Sequence, residues 1–176
     1  ILAKLKALKQ VVIIAESYHT NAPAELRAFI LTLTHWGINN PVIVSLSYES
    51  DDLETFQIIS AADAGILFLD GLADGILLSN RNIPTQRIIE TQFGILQASR
   101  VRFSQTDFIS CPGCGRTLFD LRETTRDIKA RTSHLKGLKI GIMGCIVNGI
   151  GEMADADYGY VGAGPGKISL YKQKMC

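Results

Sequence analysis

The chain has 176 residues, of which 47% are apolar and 20% are charged, and its net charge is +1. This length fits one domain or two small ones with a hydrophobic core, and the composition excludes a disordered chain. No apolar run approaches the roughly 20 residues of a membrane span, and the N-terminus lacks the apolar segment of a secretory signal. Because the sequence has no initiator Met, we expect it to be part of a longer protein.

The near-neutral charge conceals an asymmetry along the chain. Residues 1–98 carry 6 Lys and Arg against 10 Asp and Glu, whereas residues 99–176 carry 12 against 7. All four cysteines and 11 of the 16 glycines also lie in residues 99–176. We therefore predict two domains that meet at residues 98 and 99, an acidic one and a basic one that carries the cysteines.

The acidic part has the pattern of repeated strand–helix units. Continuous β-branched and apolar runs are typical of strands buried on both faces, and they predict strands at 10–16, 41–46, 65–69 and 74–79. Capping residues predict one helix that begins after Asn21, a second that is opened by Ser50, Asp51 and Asp52, and a third that begins at Pro84. Alternating strands and helices indicate an α/β fold with a parallel sheet. The pattern does not separate a barrel segment from an open sheet, but four units are too few to close an eight-stranded barrel.

The basic part predicts a second, smaller α/β domain. Residues 99–108 would form a linker and a first strand, and residues 117–132 a helix. Further strands are expected near 138–143, 157–162 and 166–171.

Cys111 and Cys114 form a C-x-x-C pair in a glycine-containing turn. This spacing occurs in thioredoxin-like redox sites, in zinc sites and in iron–sulfur centres. A zinc site needs a second cysteine or histidine pair, and His134 is the only histidine that follows the motif. A third thiol, Cys145, follows the predicted strand 138–143, at the kind of loop where functional sites are built.

The stretch from Gly141 to Glu152 is rich in glycine, and we expect a loop in which Gly144, Gly149 and Gly151 let the backbone wrap a bulky group. An iron–sulfur cluster needs four ligands, and the fourth could be Glu152 or Cys176. A carboxylate would leave one iron more exchangeable than a fourth thiolate. The residues alone leave these two candidates open.

The basic charge suggests binding of an anion or of an acidic protein, and Arg116, next to the C-x-x-C pair, could face the bound group. A non-catalytic electron-transfer or zinc-binding module is the main alternative function. A nucleic-acid-binding zinc domain is disfavoured because the Lys and Arg residues are not interleaved with aromatic side chains that could stack on bases.

Three stretches resemble one known family: Ser110–Asp120 (SCPGCGRTLFD), Ile142–Glu152 (IMGCIVNGIGE) and Met153–Gly162 (MADADYGYVG). They are similar to the C-terminal cluster domain of the 4-hydroxy-3-methylbut-2-enyl diphosphate synthase family, which acts in the methylerythritol phosphate route to isoprenoids. The resemblance extends from about residue 64 to residue 176. It is strongest to the large three-domain form of plants and chlamydia-like bacteria, in which a barrel-like domain is inserted before the cluster domain. It implies that residues 1–98 are the C-terminal portion of that insertion and residues 99–176 the cluster domain, with a further strand and helix beyond Cys176.

The resemblance implies a [4Fe–4S] cluster held by Cys111, Cys114, Cys145 and Glu152, with Asn148 near the substrate. The implied reaction is the two-electron reductive ring opening and dehydroxylation of 2-C-methyl-D-erythritol 2,4-cyclodiphosphate, with electrons from ferredoxin or flavodoxin. The implied partners include the catalytic barrel of the same enzyme and, as an open possibility, a second copy in a homodimer, but neither nucleic acid nor membrane. Cluster thiolates imply a reducing compartment, the bacterial cytoplasm or the plastid stroma.

One departure from the family concerns Ile150, which stands where the family usually has a proline. The spacing to Glu152 is kept, so we expect the carboxylate still to act as a ligand, in a loop that is less rigid. The family's catalytic barrel lies outside these residues. We therefore expect the chain to bind a cluster but not to turn over substrate alone.

Overall fold

The computed structural model describes residues 2–8, 10–173 and 175–176. The chain forms two compact units, one ending at Arg102 and the other beginning at Phe103. Within the described residues, no helix is both long enough and apolar enough to cross a membrane.

The first unit alternates helices with strands, as the sequence predicts. Its three strands form a parallel sheet in the order β1-β2-β3. The α/β class is confirmed. The elements are α1 (Leu2–Ala7), β1 (Ile13–Glu16), α2 (Ala22–His35), β2 (Val42–Tyr48), α3 (Leu53–Leu69), β3 (Gly75–Asn80) and α4 (Thr85–Ala98).

The helix starts follow the capping signals in the sequence. The Asn21 side chain accepts a 3.3 Å hydrogen bond from the N–H of Ala24, and Asp52 accepts one of 2.8 Å from the N–H of Thr55. Each bond satisfies one of the N–H groups that the first helical turn leaves without a partner. Helix α4 follows Pro84, which contributes no side-chain cap.

The strand predicted at 65–69 is wrong, because these residues form the last turns of α3. Phe56, Ser60, Ala64, Leu67 and Phe68 are all buried, and their spacing of three and four residues places them on one helix face. An apolar run of five residues fits a buried strand as well as a buried helix segment. The described residues of this unit consequently form three strands and not four.

Helices α2, α3 and α4 pack in sequence order and cover one face of the sheet. Val44 and Leu46 of β2, Ala15 of β1 and Leu78 of β3 belong to the same buried cluster as residues of all three helices. Part of the other strand face remains accessible, since Ile14 of β1 is 62% exposed and Leu77 of β3 is 47% exposed. A parallel sheet with one helical layer has the construction of a segment of barrel wall.

The second unit contains a four-stranded sheet in the order β4-β5-β6-β7. Strands β4, β5 and β6 are parallel, whereas β7 runs antiparallel to β6. The predicted α/β class is confirmed for this unit. The elements are β4 (Asp107–Ser110), α5 (Leu121–Thr132), β5 (Lys139–Met143), α6 (Ile146–Glu152), β6 (Tyr158–Gly164) and β7 (Lys167–Lys172).

Helix α5 begins four residues later than the predicted start at residue 117. Asp120 caps it by accepting a 2.9 Å hydrogen bond from the N–H of Glu123. The preceding residues are used elsewhere, since Phe119 packs edge-on against the ring of Tyr160 with 5.8 Å between centroids. The helix therefore starts after Asp120, whose carboxylate caps it.

An aspartate fixes the register of parallel strands in both units. Asp157, just before β6, accepts a 2.8 Å hydrogen bond from the N–H of Lys139, and its own N–H donates to the carbonyl of Lys139 at 2.8 Å. Asp74, just before β3, makes the same two bonds with Val42, both at 2.8 Å. In each case the aspartate binds both backbone groups at the start of the neighbouring strand.

Candidate functional site

The C-x-x-C pair lies in the turn that follows β4. Thr117 holds this turn closed, because its N–H donates to the carbonyl of Cys114 at 2.9 Å and its hydroxyl accepts from the N–H of Cys114 at 3.2 Å. Cys111 is half-buried and Cys114 is exposed, and both are free thiols. The turn thus presents two sulfurs at the carboxyl end of β4.

The third thiol reaches the same place because β4 and β5 are parallel neighbours. Ser110, the last residue of β4, pairs with Ile142, so both strands end at the same edge of the sheet. The N–H of Gly144 donates a 3.2 Å hydrogen bond to Sγ of Cys111. Cys145 follows directly and is half-buried.

A cavity of about 80 Å³ brings together all the predicted site residues. Cys176 does not line it and lies instead beside Tyr171. The polar and thiol side chains that line the cavity are those of Cys111, Cys114, Cys145, Glu152, Asn148 and Arg116.

The predicted glycine-rich loop is in fact mostly helix, since residues 146–152 form α6 with Cys145 as its N-cap. Asn148 and Glu152 are four residues apart, so both project from one face toward the cavity. Gly149 is buried, and a Cβ there would lie 2.7 Å from Cβ of Met143. This glycine lets α6 approach β5 closely, and it also lines the cavity.

Met153 anchors the end of α6 beside Glu152. Its side chain is 3% exposed and occupies space that Gly141 and Gly159 leave open, with Cβ of Met153 2.7 Å from where a Cβ of Gly141 would be. The cavity position of Glu152 therefore depends on a buried neighbour that does not itself line the cavity.

The surroundings of Cys145 favour its thiolate. Backbone N–H groups of Val147 and Asn148, in the first turn of α6, lower the pKa of the thiol most, and the guanidinium of Arg116 and the thiol of Cys114 lower it further. In turn, the Cys145 and Cys114 sulfurs raise the pKa of Arg116. The thiolate is the form that binds metals.

The donor set fits an iron–sulfur cluster in type and number. Three thiols and one carboxylate line the cavity. Backbone N–H groups also donate hydrogen bonds to the cysteine sulfurs, and such bonds adjust the reduction potential of iron–sulfur clusters. Among the residues that the structure describes, no group of three His, Cys, Asp or Glu side chains converges on the position of a single metal ion. A [4Fe–4S] cluster instead distributes its protein ligands over four iron atoms.

Thr117 is a further residue of the site that was not predicted from the sequence. A Cβ at Gly144 would overlap the hydroxyl oxygen of Thr117 and would lie 3.0 Å from the Thr117 methyl carbon. This contact joins residues that are far apart in the sequence, and neither residue alone signals it. The only sequence signal of this contact is the glycine beside each cysteine motif, Gly115 after Cys114 and Gly144 before Cys145. Glycine is common where two backbone segments approach each other closely.

Comparison with known proteins supports the resemblance. Residues 107–176 match the family described as "GcpE protein C-terminal domain". The whole chain is 58% identical over 177 residues to a protein of Bacteroides thetaiotaomicron named "4-hydroxy-3-methylbut-2-en-1-yl diphosphate synthase (flavodoxin)", and it covers 29% of that protein. Proteins with the same name from Chlorobaculum tepidum and Protochlamydia amoebophila are 51% and 48% identical over 99% and 95% of the chain, which covers 23% and 25% of them.

The chain therefore spans less than a third of the length of these curated relatives. The similarity reaches across both compact units, beyond the residues 64–176 on which the resemblance rested. The resemblance itself is confirmed.

Proposed function

We propose, from the premise that residues 107–176 belong to the GcpE C-terminal domain family, that this chain is the cluster-bearing part of a 4-hydroxy-3-methylbut-2-en-1-yl diphosphate synthase. The reaction would be the reductive ring opening and dehydroxylation of 2-C-methyl-D-erythritol 2,4-cyclodiphosphate. The observation that carries the proposal is the meeting of Cys111, Cys114, Cys145 and Glu152 in one cavity.

In this proposal the three cysteines and Glu152 hold a [4Fe–4S] cluster. Such a cluster supplies single electrons and a Lewis-acidic iron to a C–O bond that leaves poorly unaided. The N–H of Gly144 stabilises negative charge on the Cys111 sulfur through its 3.2 Å hydrogen bond. The N–H groups of Val147 and Asn148 act in the same way on Cys145.

The substrate would be bound by polar side chains that line the same cavity. Glu152 offers a carboxylate, which soft iron holds less tightly than a thiolate. Of the four proposed ligands, Glu152 is therefore the one that would exchange most readily. Asn148 projects from the same helix face and can donate a hydrogen bond to a substrate oxygen. Arg116 provides a permanent positive charge that complements a diphosphate.

The first unit would belong to a barrel-like domain inserted in the full-length enzyme. In its support, helices α2, α3 and α4 cover only one face of the sheet. The opposite face carries apolar side chains, with Ile14 62% and Leu77 47% exposed, and further strand–helix units of a barrel would bury them. The electron donor would be a flavodoxin, which the names of the relatives specify. The bacterial cytoplasm provides the reducing conditions that cluster thiolates need.

Anaerobic reconstitution with iron and sulfide tests the proposal. We expect about four iron and four sulfide per chain with broad visible absorbance, as for a [4Fe–4S] protein. Stoichiometric zinc without colour would instead support a zinc-binding module. Product formed by the reconstituted chain alone would contradict our expectation that it requires the catalytic barrel.

A pair of variants tests the ligand assignment. Glu152→Ala should speed the loss of iron to a chelator, because it removes the fourth ligand. Cys176→Ser, the matched control outside the cavity, should leave the rate unchanged. The reverse pattern would assign the fourth position to Cys176.

A further inference from the structure

A second and larger hollow adjoins the cavity of the thiols. It has a volume of about 770 Å³ and lies between the turn after β4 and helix α5. Pro112, Phe119 and Leu121 contribute apolar surface, and Arg122, Arg126 and Lys129 contribute positive charge. We call it the α5 groove.

The three cations lie along one face of α5. Arg122, Arg126 and Lys129 are separated by four and three residues, the spacing of neighbours on a helix surface. Arg126 shares its charge with Glu123 at 3.3 Å and Asp127 at 3.6 Å. In the described part of the chain, Arg122 has no carboxylate within salt-bridge distance.

The remaining charges leave the α5 groove positive. Lys129 lies over the ring of Phe108, with Nζ 5.4 Å from the centroid, a contact that keeps its charge. Asp120 is the one carboxylate in the lining, and it is occupied as the cap of α5. An apolar floor edged by cations therefore faces solvent.

Cys111 connects this groove to the proposed cluster site, because it lines both hollows. Glu152 and Asn148 line only the smaller cavity. The proposed cluster would thus have two distinct approaches, one past the substrate-binding side chains and one past the cations of α5. Electron delivery and substrate binding need not compete for one surface.

We propose that the α5 groove is the docking site for the flavodoxin that reduces the enzyme, and that carboxylates around its flavin contact Arg122, Arg126 and Lys129. This inference rests on the proposed function. In each encounter the reduced flavin loses one electron and the centre held by Cys111 gains it, without any bond being formed. Redox partners typically meet through small interfaces, in which complementary charge sets the encounter rate.

Charge reversal in the reconstituted chain tests the docking site. Arg122→Glu with Lys129→Glu changes two exposed side chains that support no described ion pair. Lys167→Glu with Lys172→Glu, on strand β7, makes the same change in net charge outside the groove. Calorimetry with oxidised flavodoxin gives the dissociation constant, and stopped-flow absorbance gives the rate at which reduced flavodoxin reduces the cluster.

We expect the groove variant to raise the dissociation constant about tenfold or more at low ionic strength, and to slow reduction in parallel. The difference should shrink at about 0.5 M salt, where exposed charges are screened. Cluster content and reduction by dithionite should match those of the unmodified chain. The β7 variant should bind flavodoxin nearly as the unmodified chain does.

Unchanged flavodoxin binding by the groove variant, with a normal cluster, would overturn the docking site and leave the proposed function standing. Failure of every protein, including the unmodified one, to assemble a cluster would overturn the proposed function instead. If the groove variant lost affinity for pyrophosphate but kept its affinity for flavodoxin, the groove would bind a small anion and the docking proposal would be wrong.

Discussion

The N–H of Gly144 donates a 3.2 Å hydrogen bond to Sγ of Cys111, 33 residues earlier in the chain. This bond joins the two sequence motifs that carry the cysteines. It forms because β4 and β5 end at the same edge of the sheet, and because the backbone at 144 comes close to the turn that Thr117 holds. The geometry of the thiols therefore depends on a residue that has no side chain.

Gly144→Ala should disturb this geometry. The new Cβ would overlap the Thr117 hydroxyl and lie 3.0 Å from its methyl carbon, so either the turn or the end of β5 must move. Overpacking of this kind costs about 1–3 kcal/mol. We expect a lower free energy of unfolding in urea and less iron retained after reconstitution.

Gly115→Ala is the matched control, because a Cβ at Gly115 meets no atom within 4 Å. It should leave both measurements near those of the unmodified chain. Full iron retention by Gly144→Ala would show that the thiols tolerate a shift of β5, and that the close approach is not needed.

Met153→Ala should destabilise the second unit. Met153 is 3% exposed and fills the space above Gly141 and Gly159, so truncation leaves a cavity that costs about 2–5 kcal/mol. Glu152 is adjacent, and we expect faster loss of iron as well. Thermal unfolding and chelator kinetics measure the two effects. Met175→Ala, at a side chain that is 69% exposed, should change neither.

The donor side chains of the candidate site could be predicted from the sequence, but the residues that hold them in place could not. Cys111, Cys114, Cys145 and Glu152 could be chosen from donor type, spacing and family resemblance, and the fold brings them to one cavity. Thr117 could not be found, because its role depends on a contact made only when two strand ends meet. Met153 could not be distinguished from other apolar residues, because the sequence does not show that its side chain fills the space left by Gly141 and Gly159.

The two wrong element predictions have a common physical origin. Each prediction rests on a short stretch of sequence, an apolar run at residues 65–69 and a glycine-rich run at residues 146–152. The first continues a buried helix face that begins at Phe56. In the second, tertiary packing of Gly149 on Met143 outweighs the cost of glycine in a helix. Both outcomes depend on contacts outside the window.

Asp52 predicts a pH dependence in the first unit. The N–H of Thr55 donates to its carboxylate at 2.8 Å and holds the pKa of Asp52 below its usual value. A lowered folded-state pKa stabilises the fold above the pKa of the unfolded chain, and this stabilisation is lost as the pH falls through the folded value. We expect the free energy of unfolding to decrease in acid.

Asp52→Asn keeps a capping side chain but removes the titration. Urea denaturation at about pH 7 and about pH 3, on either side of the ordinary carboxyl range, should show a smaller loss for this variant than for the unmodified chain. Asp51→Asn, an exposed neighbour that caps no helix, serves as the control. Equal losses in all three proteins would contradict the assignment of this effect to Asp52.

Asp157 should contribute to stability through backbone register and not through charge. Its side chain and its own N–H bind the N–H and carbonyl of Lys139, both at 2.8 Å, where β5 and β6 begin. Asp157→Ala leaves the N–H of Lys139 without this acceptor, which costs about 1–3 kcal/mol when water does not replace it. Asp157→Asn keeps an acceptor oxygen in the same place and should cost less. In the alanine variant, the backbone amide of Lys139 should exchange its hydrogen faster. Asp74→Ala is the control: it should speed exchange at the amide of Val42 and leave the amide of Lys139 protected. The two effects are independent because the two units fold around separate cores.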